Sequence, residues 1–265
     1  MVMLNMNAYP YGSGNVIGSG NKYAGIALGA NTWTLSGTLN RIDDIPYLVR
    51  SGAMGFSANR ELTIAPGVVI KLRSDSLWIN GALKAVGTPE APIIFTSLRD
   101  DTVGGDSNLV DGSVSPARGD WNDIYITNSS TRFENTQIRW GGSSSGSSAS
   151  IHVYNSSPTF LGCEISSSSY DGIKLSGTNT PVIQNSYIHD NTRYGINSVD
   201  SLAGPVSLNG NIFQNNNNWG AYLNTVLDIS SNTFNGNANG LYVSTGTGTG
   251  AIGFSSNTFL NQSWH

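Results

Sequence analysis

Six times in the second half of this chain an apolar residue is followed, five positions later, by Ile or Phe. The pairs are Phe133/Ile138, Phe160/Ile165, Ile183/Ile188, Leu208/Phe213, Ile229/Phe234 and Phe254/Phe259, and they start 27, 23, 25, 21 and 25 residues apart. In phase with them, a Gly opens a short alternating strand: Gly172-Ile173-Lys174-Leu175, Gly195-Ile196-Asn197-Ser198, Gly220-Ala221-Tyr222-Leu223 and Gly240-Leu241-Tyr242-Val243. Such a period, with two short strands per unit, specifies a solenoid. A unit this small cannot bury its own apolar face. It must stack on its neighbours.

The units lack the Leu-x-x-Leu-x-Leu core of leucine-rich repeats. They are rich in Asn, Ser, Thr and Gly, which are poor helix formers. Their apolar residues alternate at period two, as in Ile151-His152-Val153. These features leave an all-β, single-stranded parallel β-helix of roughly ten coils, near 50 Å long at the paired-strand spacing. Between the paired apolar residues lies a polar or small column: Thr136, Cys163, Ser186, Asn211, Asn232, Asn257. Stacked amides and hydroxyls there would satisfy one another at an inner turn. Cys163 falls in this column, which predicts a buried, inert thiol rather than a nucleophile.

The first half repeats the theme in Leu62–Leu72, Leu77–Gly87 and Pro92–Ser97, with turns at Pro66-Gly67 and Asn80-Gly81. An Asp- and Gly-rich loop and then Trp121 follow. This order of segments resembles the opening of right-handed parallel β-helix modules of the pectate-lyase-like superfamily, found in large bacterial and archaeal secreted or cell-surface proteins. The later coils resemble that superfamily's short β-helix repeat. The resemblance covers residues 21–265 and implies a right-handed coil. It implies little about activity, because the superfamily mixes lyases, hydrolases, epimerases, adhesins and spacers.

Charged residues are 11% of the chain, with 13 Lys and Arg against 17 Asp and Glu. That balance argues against a nucleic-acid partner, which wants a basic face. No apolar run reaches the roughly 18 residues of a membrane span. Low charge and abundant Asn, Ser, Thr and Gly, together with the resemblance, point to an extracellular or cell-surface setting. Residues 1–20 read as an N-terminal tail or the last turn of a preceding module, and 21–265 as the β-helix, with a loop excursion over 97–121. Residues 254–264 read as a last layer with nothing to cover it, and Leu4-Asn5-Met6-Asn7 echoes Leu260-Asn261-Gln262-Ser263. The expectation is a piece of a longer array. The competing reading is a flexible tail and an irregular C-terminal cap.

Three sets of residues could carry chemistry. In the 97–121 loop, Asp100, Asp101, Asp106, Asn108 and Asp111 offer oxygen ligands, and Gly allows a tight wrap, as a structural calcium ion requires. The loop has one residue more between Asn108 and Asp111 than the related modules, and the competing reading is a surface excursion with Asp at turns. Second, the outward positions of the Gly-led strand predict a stack of Tyr125, His152, Lys174, Asn197, Tyr222 and Tyr242. Tyr faces suit sugar rings, and Lys, His and Asn offer hydrogen bonds. An ordinary exposed strand face reads the same way. Third, Asp171, His189, Asp190 and Arg193 form the best acid/base cluster, against a reading of solvated turn formers. A glycosidase needs two carboxylates facing one bond. Sequons at Asn128, Asn155 and Asn261 matter only in a glycosylating host.

The sequence therefore predicts a non-enzymatic structural or adhesion-type module, with neighbouring β-helix modules or a cell-surface partner and no cofactor beyond calcium. The alternative is a polysaccharide lyase, a hydrolase or a carbohydrate-binding relative acting on the outer strand face.

Overall fold

The computed structural model describes residues 2–4, 7–18, 21–29, 32–50, 54–108, 115–143, 149–198, 206–224, 226–244 and 252–263. Every regular element among them is a strand, and every strand pairing is parallel. The chain winds repeatedly through three sheets. Sheet 1 runs from Thr32–Trp33 to Asn239–Val243, sheet 2 from Gly37–Leu39 to Gly253–Ser255, and sheet 3 from Val2–Leu4 to Thr258–Leu260. Among the described residues, no helix is long and apolar enough to cross a membrane.

The apolar pairs are the inner rungs. Phe133, Phe160, Ile183, Leu208 and Ile229 stack in register in sheet 2. Ile138, Ile165, Ile188, Phe213 and Phe234 do the same in sheet 3. All ten are fully buried. Rings of neighbouring coils lie flat on each other, with centroids 4.8 Å apart for Phe213 and Phe234 and 4.9 Å for Phe234 and Phe259. In the last described rung, Phe254, Phe259 and Leu260 are exposed.

Each repeat has three strands, not the two read from the sequence. The apolar pair spans two of them, because a residue of left-handed backbone conformation stands between. That column is Asn135, Gly162, Asn185, Gly210, Ser231 and Ser256, with φ from 42° to 69°. Asn and Gly tolerate this conformation best, which is why they recur there. The next residue in each coil belongs to the polar column. Asn211 Nδ2 donates to Asn232 Oδ1 at 3.0 Å, and Asn232 Nδ2 to Asn257 Oδ1 at 3.1 Å. The backbone N–H groups of Ser186 and Asn211 also donate to the next amide oxygen. Cys163 lies here, buried, and burial pushes its thiol up to about 12.

A second column lies five residues further on and was not read from the sequence: Ser168, Asn191, Asn216, Asn237 and Gln262. Asn191 Nδ2 donates to Asn216 Oδ1, and Asn216 Nδ2 to Asn237 Oδ1, both at 2.9 Å. It too follows a left-handed column: Trp140, Ser167, Asp190, Asn215, Gly236 and Asn261.

Among the described residues, sheets 1 and 2 have nine strands each and sheet 3 has eleven. Nine stacked strands make eight steps, nine less one, so the helix has somewhat fewer turns than the roughly ten expected. The shortfall is at the N-terminal end. Val2–Leu4 and Ile26–Leu28 are neighbours in sheet 3, and the described residues between them form no strands. Instead that segment lies against the first coil. Asn7 Oδ1 accepts the backbone N–H groups of Thr34 and Leu35, each at 2.9 Å, and the Tyr9 ring packs edge-on against Trp33.

Two substitutions test this account by denaturant unfolding. Ile188→Ala is expected to cost about 2–5 kcal/mol, the range for core truncation. Asn216→Ala is expected to cost about 1–3 kcal/mol for each buried group left without a partner, which a solvated turn asparagine would not.

Candidate functional site

The outward column of sheet 1 runs Trp78, Tyr125, His152, Lys174, Asn197, Tyr222, Tyr242 along consecutive coils. The structure thus lines up the six residues expected there and adds Trp78. It also divides them. At one end, Trp78 and Tyr125 pack with centroids 4.9 Å apart, and Tyr154 stacks on Tyr125 at 6.1 Å. At the other, Tyr222 and Tyr242 stack at 4.2 Å, with Trp219 against both and Tyr194 beside Tyr222. Between them lie His152, whose Nε2 is 3.0 Å from Ser176 Oγ, and then Lys174 and Asn197. Sequence reading missed Trp78, Tyr154, Tyr194 and Trp219. Trp78 was legible from the alternation Leu77-Trp78-Ile79; the other three lie just beyond the alternating column.

Asp171, His189, Asp190 and Arg193 separate into two pairs. Asp171 begins a strand of sheet 1 and is fully buried, which overturns its reading as a solvated turn residue. Its carboxylate accepts a hydrogen bond from Asn197 Nδ2 at 2.7 Å and one from the Tyr194 backbone N–H. Arg193 Nε is 3.9 Å away, and the guanidinium spreads over the rings of Tyr194 and Tyr170. Burial pushes the Asp171 carboxyl up to about 6, against the hydrogen bond from Asn197 and the charge of Arg193. Asn197 is committed to this pair and is itself buried.

His189 and Asp190 belong to the side of sheet 3. His189 Nδ1 lies 2.6 Å from Asp190 Oδ2 and its Nε2 3.3 Å from Glu164 Oε1, while its ring stacks on Tyr187. Burial disfavours the His189 cation, but the bonds to Glu164 and Asp190 outweigh it and raise the pKa. Asp190 sits in the left-handed region, at φ 52°, and its carbonyl accepts a bond from Arg118. Both imidazole nitrogens face carboxylates, which favours the protonated ring and leaves neither nitrogen free to act as a base.

The described first part of the 97–121 loop, residues 98–108, lies over the outer face of sheet 3. Asp100 is buried and accepts bonds from Thr96 Oγ1, Thr102 Oγ1 and Arg139, whose Nη2 is 2.8 Å away. Lys71 is fully buried beneath the loop, and its Nζ donates to the Gly105 carbonyl at 2.5 Å. Burial pulls Lys71 down to about 8, while Asp101, Asp100 and Asp106 hold its charge in place. Asp106 Oδ1 caps the Asn108 backbone N–H. Two protein cations thus stand among the acids expected to hold calcium. Among the described residues, no group of three or more His, Cys, Asp or Glu side chains is arranged to hold a metal ion. Asp111 lies outside the described residues.

The Asp171 site gives a pH signature. A carboxyl raised from about 4 in the unfolded chain to about 6 in the fold binds extra protons in the native state between those values. Its contribution to stability therefore falls as pH rises through that window. Melting temperatures from pH 4 to 8 should show Asp171→Asn gaining on the parent protein up to about pH 6 and levelling off above. A difference independent of pH would refute the assignment.

The chain matches the family model described as right handed beta helix region over residues 106–261. No curated protein and no solved structure matches it. The matched segment is more than half the chain and covers the coils where both side-chain ladders run, and the chain belongs to the right-handed β-helix family.

Proposed function

We propose that this chain is a non-enzymatic structural or adhesion-type module of an extracellular or cell-surface protein, carried in tandem with neighbouring β-helix modules. The observation that supports it is the continuity of bonding along the axis. Three sheets and two amide columns join coil to coil, so load passes through backbone and side-chain hydrogen bonds together. A stiff rod of this kind projects whatever is attached to it.

A second reading is favoured by the aromatic clusters on sheet 1. We infer that Trp78, Tyr125 and Tyr154 at one end, and Trp219, Tyr222 and Tyr242 at the other, stack on saccharide rings, with Lys174 between them. This makes a carbohydrate-binding face. Catalysis would need a carboxylate exposed to the bond it cleaves, and Asp171 is fully buried beside Arg193.

Assays on pectate, polygalacturonate and alginate, with and without calcium, are expected to show no turnover. Product release that disappears in Asp171→Asn or Asp190→Asn would replace this function with a lyase or hydrolase. Affinity electrophoresis in the same polymers tests the second reading. Retardation lost in Tyr222→Ala and Tyr242→Ala supports it, and unchanged mobility in every polymer removes it. For the 97–121 loop, melting in chelator and in millimolar calcium decides whether a structural ion adds to Lys71 and Arg139. A bound ion at a hundredfold excess over its dissociation constant would add roughly 2.7 kcal/mol.

A further inference from the structure

The outer face of sheet 3 changes character along the axis. In one outward column the later coils carry Gln137, Glu164 and Tyr187, while the earlier coils carry Val69 and Ile94. Nearby apolar residues are already covered, since Tyr23, Leu48 and Leu98 form a buried cluster of their own. Val69 and Ile94 instead line a cavity of about 410 Å³ together with Ile45, Val103 and Gly104. A neighbouring cavity of about 350 Å³ shares Asp43, Asp44, Ile45, Gly104 and Gly105 with it and reaches Val16 and Asp106. A third, of about 220 Å³, shares Val16, Ile17 and Ile45 and ends at Leu4 and Tyr11. Together they make one elongated cleft with an apolar floor, in the size range of ligand sites.

The rim is acidic. Asp43, Asp44 and Asp106 line it, against Arg41, which is already paired with Asp44 at 2.5 Å. The Asp43 carboxylate accepts the backbone N–H groups of Gly14 and Asn15, which fixes the strap that walls the cleft. Asp101 stands close enough to Asp106 to feel its charge: burial and that repulsion together raise the Asp101 pKa. Lys71 beneath the loop offsets part of that repulsion, and Asp43, Asp44 and Asp106 still outnumber Arg41 along the rim.

We propose that this cleft binds an extended peptide segment in which apolar residues are flanked by lysine or arginine. The elongated shape suits a chain more than a compact molecule. The Val69 and Ile94 floor takes the apolar side chains, and Asp43 and Asp106 on the rim take the basic ones. The site lies on sheet 3, away from the aromatic column of sheet 1, so it stands or falls apart from the carbohydrate reading.

Isothermal titration of the full chain tests it with three synthetic peptides: Lys-Val-Ile-Val-Lys, Glu-Val-Ile-Val-Glu and Lys-Ser-Gly-Ser-Lys. The first should bind, and the other two should bind about tenfold more weakly or worse. Val69→Lys should abolish binding, Asp106→Asn should weaken it, and Tyr242→Ala should leave it unchanged. Should Val69→Lys fail to fold, as read by its melting curve, Val103→Lys on the covering loop reads the same contact. Equal binding of the three peptides, no binding of the first, or full binding by the floor variant overturns the proposal. So does a concentration-dependent dimer that Val69→Lys dissolves, because a second copy would then be the occupant.

Discussion

The structure depends on a repeated local event: a residue turns into the left-handed region, and the next residue faces inward, where in the later coils its side-chain amide bonds to its equivalent one coil away. The inward turn would otherwise bury backbone N–H and C=O groups without partners. The amide of Asn216 answers several at once. Its Oδ1 accepts from Asn191, and its Nδ2 donates to Asn237 Oδ1 and to the Ile188 carbonyl. Asn232 does the equivalent in the other column, with the Leu208 carbonyl in place of Ile188. An amide, which both donates and accepts, can continue such a chain indefinitely. A hydroxyl can take over the accepting half of the role: Ser186 Oγ accepts the backbone N–H of Cys163, while Ser168 donates its own backbone N–H to Asn191.

Given these turns, the hydrophobic rungs follow. The two polar columns fix where strands stop, and alternation then places Phe133, Ile183, Ile188 and their equivalents inside. The outer faces are left to vary. On sheet 1 they collect aromatic rings. On sheet 3 they collect charges and an apolar cleft. Charges on both sheets pair within the protein: Arg139 with Asp100 and His189 with Glu164 and Asp190 at sheet 3, and Arg193 with Asp171 at sheet 1. Each pairing draws on residues from different coils or from the covering loop, except the local bond between His189 and Asp190. Burial then sets the unusual ionisation of Asp171 and Lys71, because the surrounding partners only partly replace lost water.

The repeat period, the inner rungs, the first polar column and the outward column of sheet 1 were all legible in the sequence, because each is a side-chain preference that recurs at a fixed offset. The second amide column was equally legible in principle, five residues after the first, but it lies in longer, less regular turns. The sequence by itself determined that this chain coils, which residues face inward and that Cys163 is inert, since periodicity alone separates inside from outside. Only the tertiary structure decided that each repeat has three strands, that Asp171 is buried and divorced from His189, and that Lys71 and Arg139 stand among the loop's acids. Those outcomes rest on contacts between residues 22 to 39 positions apart or on backbone angles at single residues. Neither leaves a periodic trace in the order of amino acids.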